Sequence, residues 1–400
     1  MLQTEKHLSG IKVVELATFI AAPSCARILG EWGAEVVKIE SLNGDIYRRT
    51  GNAISDDENP LFAIENEGKK FISVDIKTSD GVKIVDQLLE KSDIFVTNLR
   101  VDALKKLGLS YEDLSEKYPE LIYTHVLGYG DKGPLKDKPG YDSTAFFARS
   151  GILADTTQAG ETPTNYANGL GDHTLGMYIL SGVLAALYKR TKTGRGELVT
   201  SGLYQAAIYS LSSMLMATQL NVEYPADRKN PGNPLNNIYQ CKDGEWLMLA
   251  GTDYYSSLSK FAEITDLPIL VENDEYNSPL GGYICSKEIT AIIENRISQK
   301  NRSEWDEIFK KGDFACEILQ HLSDVLEDEQ AWANDYLLKV TYPTGNSGIV
   351  PNLPVSFGNQ QKSEFKHPPK VGGDSVAILK SLGYTDGKID ELLSNRIVVG

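Results

Sequence analysis

The sequence predicts an open, doubly wound α/β sheet followed by a second, smaller α+β domain, and three features carry that reading. Strand-like and helix-like stretches alternate over roughly the first 130 residues, the order that builds parallel sheets. The alternation breaks at Tyr224 to Tyr239, a linker-like stretch rich in Pro, Asn and Gly. Beyond it, from Gly244 to about Glu329, one strong strand is mixed with charged helices, and from Pro354 the chain returns to loop and helix.

In order, Ile11 to Leu16 (IKVVEL) is an apolar, β-rich run, and Ala21-Ala22-Pro23 opens a helix over Ser24 to Trp32. Pro23 suits a first helical turn, where its missing N–H costs nothing. Gly33 ends that helix, and Ala34 to Glu40 (AEVVKIE) is the next strand. No G-x-G-x-x-G follows the first strand, so the dinucleotide fingerprint is absent. Phe71 to Ile76 reads as a strand, Asp80 to Glu90 as a helix started by Thr78 or Ser79, and Asp93 to Asn98 as another strand. Helical stretches follow at 102–107 and 111–117, the second opened by Ser110 with Asp113 three residues on, a capping box. Leu121 to Leu127 closes the series as a strand. In such sheets ligands sit beyond the carboxyl ends of the strands, here near Thr18–Ala22, Asn98–Arg100 and Gly128–Tyr141. Gly128 to Tyr141 is a loop on composition, with four Gly, two Pro and three Lys. A short helix over 142–149 and a polar loop then lead to Gly169. A long apolar helix follows, ending at Lys189–Lys192, where the dipole favours basic residues. Val199 to Met216 is a last strand-to-helix passage, Trp246 to Ala250 a strand, and 375–382 and 388–395 are helices.

Composition narrows the function. Hydrophobic and charged fractions of 41% and 24% are those of an ordinary globular protein. A net charge of −15 repels nucleic acid and anionic membranes, so neither is expected as a partner. Cys25, Cys241, Cys285 and Cys316 are far apart and lack CxxC spacing, as free thiols in a reducing cytosol would be. The five His show no metal-ligand spacing, and no metal is expected. With no apolar h-region at the N-terminus and no run of roughly 18 apolar residues, the expected location is cytoplasmic.

Asn168-Gly169-Leu170-Gly171-Asp172, followed at once by the long helix, puts Asp172 where an N-cap belongs. Free N–H groups and the positive dipole end there favour the ionised carboxylate, available as acceptor or nucleophile. Locally, a plain cap and a nucleophile are both open. His173 reads as an outward residue at the start of the helix, and His125 as a satisfied core or cleft histidine. Arg48, in the polar Tyr47-Arg48-Arg49 stretch, is a candidate for steering a carboxylate, with a solvated surface pair as the alternative. Asp142 is a candidate for assisting at the site or for capping the helix it begins.

Several motifs occur in order across nearly the whole chain: Leu8 to Ala17 (LSGIKVVELA) with Ala22-Pro23, Gly33 to Glu40, Gly169 to Asp172 (GLGD), Lys192 to Glu197 (KTGRGE) and Pro368 to Asp374 (PPKVGGD). Together they resemble the class III coenzyme A transferases of the formyl-CoA and carnitine-CoA transferase type. The resemblance implies a large domain made of residues 1–223 and the returning segment 331–400, with a small domain and its linkers, 224–330, inserted between. It also implies two chains interlocked as a homodimer. It makes Asp172 the covalent nucleophile and coenzyme A, entering as an acyl-CoA substrate, the group bound, with no metal and no nucleotide cofactor. By motif matching, CoA contacts fall to Thr18, Phe19, Ala21, Val74, Asn98, Leu99, Lys106, Lys138 and Tyr141. Ile20, Arg48, Asp142 and Gly171 fall at the acyl side, and Gly232 and Asn233 in a loop, 230–235, that shields the intermediate.

Departures from the pattern sharpen the expectation. Ser41 stands where formyl-CoA transferase has an arginine near the nucleotide, and Ile20 where it has an active-site glutamine, which implies a less polar acyl pocket. A 2-methylacyl-CoA racemase shares the fold and the aspartate, but uses a His-Asp pair where this chain has Tyr141-Asp142. A phenol with pKa near 10 is a poor base for α-proton abstraction, which favours transfer. A non-catalytic CoA-binding protein is the third reading, opposed by the intact GLGD motif. Residues 15–27 most resemble the 2-hydroxyacyl-CoA transferases of amino-acid-fermenting anaerobes, which implies an (R)-2-hydroxy acid derived from leucine or phenylalanine as acceptor.

Overall fold

The computed structural model of the chain describes residues 6–51, 59–166, 169–358 and 365–400. It divides into two compact units, the first of residues 1–150, 165–215 and 335–400, the second of 151–164 and 216–334.

The first unit is built on one seven-stranded sheet. Its parallel strands are β1 (Lys12–Leu16), β2 (Glu35–Glu40), β3 (Lys70–Val74), β4 (Ile94–Thr97), β5 (Ile122–Leu127) and β6 (Leu198–Gly202). Their order across the sheet is β3-β2-β1-β4-β5-β6. The chain therefore winds outward in both directions from the β1–β4 pair. The C-terminal strand Val398–Val399 closes the free edge antiparallel to β3, with Val398 opposite Val74. Helices α1 (Ala21–Glu31), α2 (Pro60–Asn66), α3 (Ser79–Glu90), α4 (Val101–Lys106) and α5 (Tyr111–Lys117) follow the strands. Only the first residue of β1 is exposed, as expected of a strand in a parallel sheet covered on both faces. Thr78 caps α3 by accepting the Gly81 N–H at 3.0 Å, whereas α1 begins three residues ahead of the expected Ser24. α2 adds to the elements expected from sequence, its start legible in Asn59, which accepts the Leu61 N–H at 2.9 Å, and Pro60 behind it.

Two strands carry charges into this apolar layer. Glu15 of β1 and Lys38 of β2 are fully buried, with Lys38 Nζ 2.6 Å from Glu15 Oε1 and 3.1 Å from Asp45 Oδ2. Lys69 Nζ takes the other Glu15 oxygen at 2.7 Å. A buried charge left alone is costly, so these four residues form a closed network.

A short helix, α6 (Ile152–Asp155), lies in the second unit, from a stretch read as loop. Back in the first unit, α7 (Leu170–Thr193) and α8 (Leu203–Ser210) flank β6. α7 is long and apolar enough to cross a membrane by those two measures alone, and it packs on α1. A Cβ on its Gly176 would sit 2.2 Å from Ser24 Oγ. The second unit holds an antiparallel sheet of Ile238–Gln240, Trp246–Leu249 and Cys316–Ile318. Leu247, Phe261, Trp305 and Phe309 form its core. The linker expected to run through Tyr239 ends earlier, because Tyr239 is fully buried and donates its hydroxyl to Pro234 O at 2.7 Å.

Candidate active site

β1 and β4 are neighbours whose chains depart to opposite sides, so the backbone parts at their carboxyl ends and leaves a crevice. Its floor is stitched by side chains. Thr97 Oγ1 donates to Leu16 O at 2.8 Å, and Asn98 both donates to Thr18 O at 2.8 Å and accepts the Thr18 N–H at 3.1 Å. A cleft of about 330 Å³ opens above them, lined by Thr18–Ala21, Asn98–Val101, the end of β5, residues 136–142 and Asp172.

The turn into α7 differs from its expected form. Gly169, at φ +100°, is the capping residue, and Asp172 is the third residue inside the helix. The carboxylate that serves the helix start is Asp142, whose Oδ2 accepts the Gly169 N–H at 2.7 Å. Position 171 admits no side chain: a Cβ there would lie 2.3 Å from Asp142 Oδ1 and 2.4 Å from Phe146 Cγ. Asp142 opens a π-helical turn, Asp142–Ala148, a form often met at functional sites. The Tyr141 N–H, donating to Thr144 Oγ1 at 3.0 Å, anchors that turn.

The helix end does not set the charge of Asp172 by itself. Burial, and then the neighbouring Asp142 charge, push the Asp172 carboxyl up to about 7, with His173 opposing them. Burial also raises Asp142. His173 does face outward, its side chain 54% exposed, but it is tethered: its Nε2 lies 2.8 Å from Oε1 of Glu65, which is 1% exposed. That hydrogen bond holds the imidazole above its ordinary pKa. Tyr47 completes the cluster, its phenol pushed up to about 12 by burial, Glu65 and Asp172. Glu65 and Tyr47 were not singled out from sequence; the Asn59-Pro60 helix start was the available signal for Glu65. His125 is a satisfied buried histidine, its Nε2 2.8 Å from Leu99 O.

Thr18, Phe19, Ile20, Ala21, Asn98, Leu99, Lys138, Tyr141, Asp142 and Asp172 are brought together in the one cleft, with Arg100 and Lys136 beside them. Phe19 has φ +65°, and its N–H faces Asp45 Oδ1 at 3.5 Å. Ile20 lines the cleft and packs behind it with Tyr47, Phe62 and Phe71 in a buried apolar cluster. The Tyr141 ring is 56% exposed and meets Phe19 edge-on at 6.1 Å. Val74, Lys106 and Arg48 lie outside that lining. Val74 is buried in the core of the sheet, where a CoA contact is closed to it. Lys106 is exposed on the last turn of α4, away from the cleft lining. Arg48 is buried. Its guanidinium is held by Glu40 at 2.8 and 3.1 Å and by Pro369 O at 3.0 Å, over the Phe62 ring, with no group left to steer a substrate. Gly232 and Asn233 belong to the second unit, where Asn233 donates to Gly251 O at 2.8 Å. Among the described residues no His, Cys, Asp and Glu group suits a metal ion, and the four cysteines are free thiols.

Comparison with known proteins agrees in one direction. The family model described as CoA-transferase family III matches residues 8–375. An (R)-2-hydroxy-4-methylpentanoate CoA-transferase of Clostridioides difficile is 45% identical, covering 98% of this chain and 99% of its own length. A cinnamoyl-CoA:phenyllactate CoA-transferase of Clostridium sporogenes is 41% identical, covering 98% and 97%. A crystal structure of a CAIB/BAIF family protein from Brucella suis superposes with a TM-score of 0.79 at 26% identity, covering 94% of this chain and all of that one.

Proposed function

Since the chain belongs to CoA-transferase family III, we propose that Asp172 is the nucleophile through which it moves CoA from an acyl-CoA or enoyl-CoA donor to a free (R)-2-hydroxy acid. The observation that carries the reading is the Asp172 carboxylate opening onto the strand-end cleft, with Gly171 and Asp142 set against it. In the forward half, an Asp172 oxygen attacks the donor thioester carbonyl and the C–S bond breaks. A mixed anhydride and the CoA thiolate result. The thiolate then attacks the Asp172 carbonyl carbon, giving an aspartyl-CoA thioester and the donor acid as its carboxylate. In the return half, the acceptor carboxylate attacks that thioester and the released thiolate takes the acceptor acyl group. The Asp172 carboxylate is thereby restored. Thioester is exchanged for thioester, so neither ATP nor a net proton is consumed, and one hard exchange becomes a series of acyl transfers. Each step passes through an oxyanion, which a backbone N–H at the turn would stabilise by about 3 kcal/mol.

The cleft chemistry fits CoA as substrate. Arg100, Lys136 and Lys138 offer charge for its phosphates, and Thr18–Ala21, Asn98, Leu99 and Tyr141 line the same space. On the acid, the two relatives are named for 2-hydroxy-4-methylpentanoate and phenyllactate. Ile20, which lines the cleft and is backed by the buried cluster of Tyr47, Phe62 and Phe71, gives an apolar side suited to the branched or aromatic side chain of such acids. The shielding role of Gly232 and Asn233 rests on the family resemblance, and an Asn233→Ala variant that hydrolyses acyl-CoA faster relative to transfer would support it. The reading is completed by a cytoplasmic, interlocked homodimer. Asp172→Ala is expected to abolish exchange between acids and CoA esters, and hydroxylamine trapping should mark the peptide bearing Asp172 in the parent. Exchange at the parent rate in that variant would end the reading. A preference for oxalate or carnitine over (R)-2-hydroxy-4-methylpentanoate and (R)-phenyllactate would end its substrate half.

A further inference from the structure

Two carboxylates lie around the nucleophile's own, and one imidazole faces them. Asp172 shares its surroundings with Asp142 from the π-helical turn and Glu65 from α2, and the phenol of Tyr47 lies beside both. The nearest guanidinium on α1, Arg27, is engaged by Glu31 at 2.5 Å and Glu67 at 3.2 Å. Lys69 faces Glu65 but is already held by Glu15 at 2.7 Å, so among the described residues His173 is the cationic group left to act on Asp172. Its Nε2 is committed to Glu65 Oε1 at 2.8 Å, while Glu65 Oε2 is buried and accepts no hydrogen bond among the described residues. The ring packs against the nucleophile turn: a Cβ built on Gly169 would lie 3.5 Å from His173 Cε1, 3.6 Å from Nδ1 and 3.7 Å from Ile20 Cδ1. The acyl exchanges proposed above transfer no proton, so this imidazole has no call to act as a base. Half-exposed on one side and tethered to a buried carboxylate on the other, it suits a held counter-charge.

We propose that His173, pinned by Glu65, is a positioning residue that supplies the counter-charge the Asp172 carboxylate needs to be ionised when it attacks the thioester. The inference rests on the covalent role proposed for Asp172 and goes beyond it, because it assigns the neighbour that sets the nucleophile's charge state. Glu65 favours the imidazolium, and that cation in turn opposes the burial and the Asp142 charge that favour protonated Asp172. Without the cation, Asp172 holds its proton to higher pH, and the acid limb of activity moves with it.

The test is the pH profile of kcat/KM between pH 5 and 9 for the parent, His173→Asn and His173→Arg. In the Asn variant the loss at pH 6 should exceed the loss at pH 9 by about tenfold, the factor that one unit of displacement in the limb produces. His173→Arg, which keeps a cation, should return the limb toward the parent. An Asn variant reduced by one factor at every pH, or an Arg variant with the same displaced limb, would overturn the proposal. A second measurement avoids any dependence on the folding of the Asn variant. The His173 ring, titrated by NMR in the parent and in Asp172→Asn, must show a lower pKa in the variant, because coupling between two sites is reciprocal. An unmoved titration also overturns the proposal. Loss of the covalent reading would show instead as exchange persisting in Asp172→Ala, whatever His173 does.

Discussion

At the scale of the residue, Asp172 is governed by a contest that magnitudes decide. The helix end favours its anion by about 0.3–1 kcal/mol. Burial and a like charge can each displace a carboxylate by more than one pH unit, and here they carry it up to about 7. CoA exchange should therefore rise as pH passes through 7 and level off about one unit above, where Asp172 is ionised. The same shift weakens the fold. Between the ordinary Asp value of 3.8 and about 7 the folded protein binds more protons at Asp172 than the unfolded chain does. Stability contributed at this site is thus present at low pH and lost as pH rises through that window. Asp172→Asn, which cannot ionise, is expected to be more stable than the parent at pH 8, the gap closing toward pH 4 in denaturant titrations. Gly171→Ala tests the neighbouring close approach. Its Cβ meets Asp142 and Phe146 well inside contact distance, so a loss of about 1–3 kcal/mol with a marked fall in transfer rate is expected. The requirement for glycine at 171 was legible only as a motif; its cause lies on another segment.

At the scale of the element, the turn after β1 is held from below by buried charge. Lys38 links Glu15 to Asp45, and Asp45 Oδ1 accepts the Tyr47 N–H at 3.0 Å and faces the Phe19 N–H. Burial works against the Glu15 charge, but Lys38 and Lys69 outweigh it and hold its carboxyl below the ordinary value. Lys38→Met would strand Asp45 and leave Glu15 to Lys69 alone. It should cost about 3–5 kcal/mol in urea unfolding and raise the KM for acyl-CoA as the turn loosens. The strands themselves were readable, because a parallel strand buried on both faces is an apolar run that needs no context. The start of α7 was not. A left-handed glycine moved the cap to position 169, and the capping carboxylate came from Asp142.

At the scale of the whole molecule, the motif Pro368 to Asp374 acts as a clasp for the returning C-terminal segment. Asp374 Oδ2 accepts the Phe71 N–H of β3 at 2.9 Å, and Gly372 leaves room for Val399 O, which a Cβ would approach to 2.1 Å. The first unit also displays large apolar side chains to solvent on α7 and α8. Leu170 is 58% exposed, Tyr188 65% and Tyr209 70%, side chains that the homodimer proposed above would have to cover. Light scattering should accordingly give twice the mass of one chain, and an intertwined pair should resist dilution in a way a surface-docked pair does not. By itself the sequence determined the strand order's raw material, the regions at the strand ends where a ligand sits and the identity of the nucleophile candidate. Each of these depends on patterns a few residues long. Only the tertiary structure decided that Asp172 titrates near 7, that His173 is tied to Glu65, and that Arg48 and Val74 are sealed away from the cleft. Charge state and access depend on desolvation and on neighbours such as Asp142 and Glu65, 30 and 107 positions away along the chain, which no local pattern encodes.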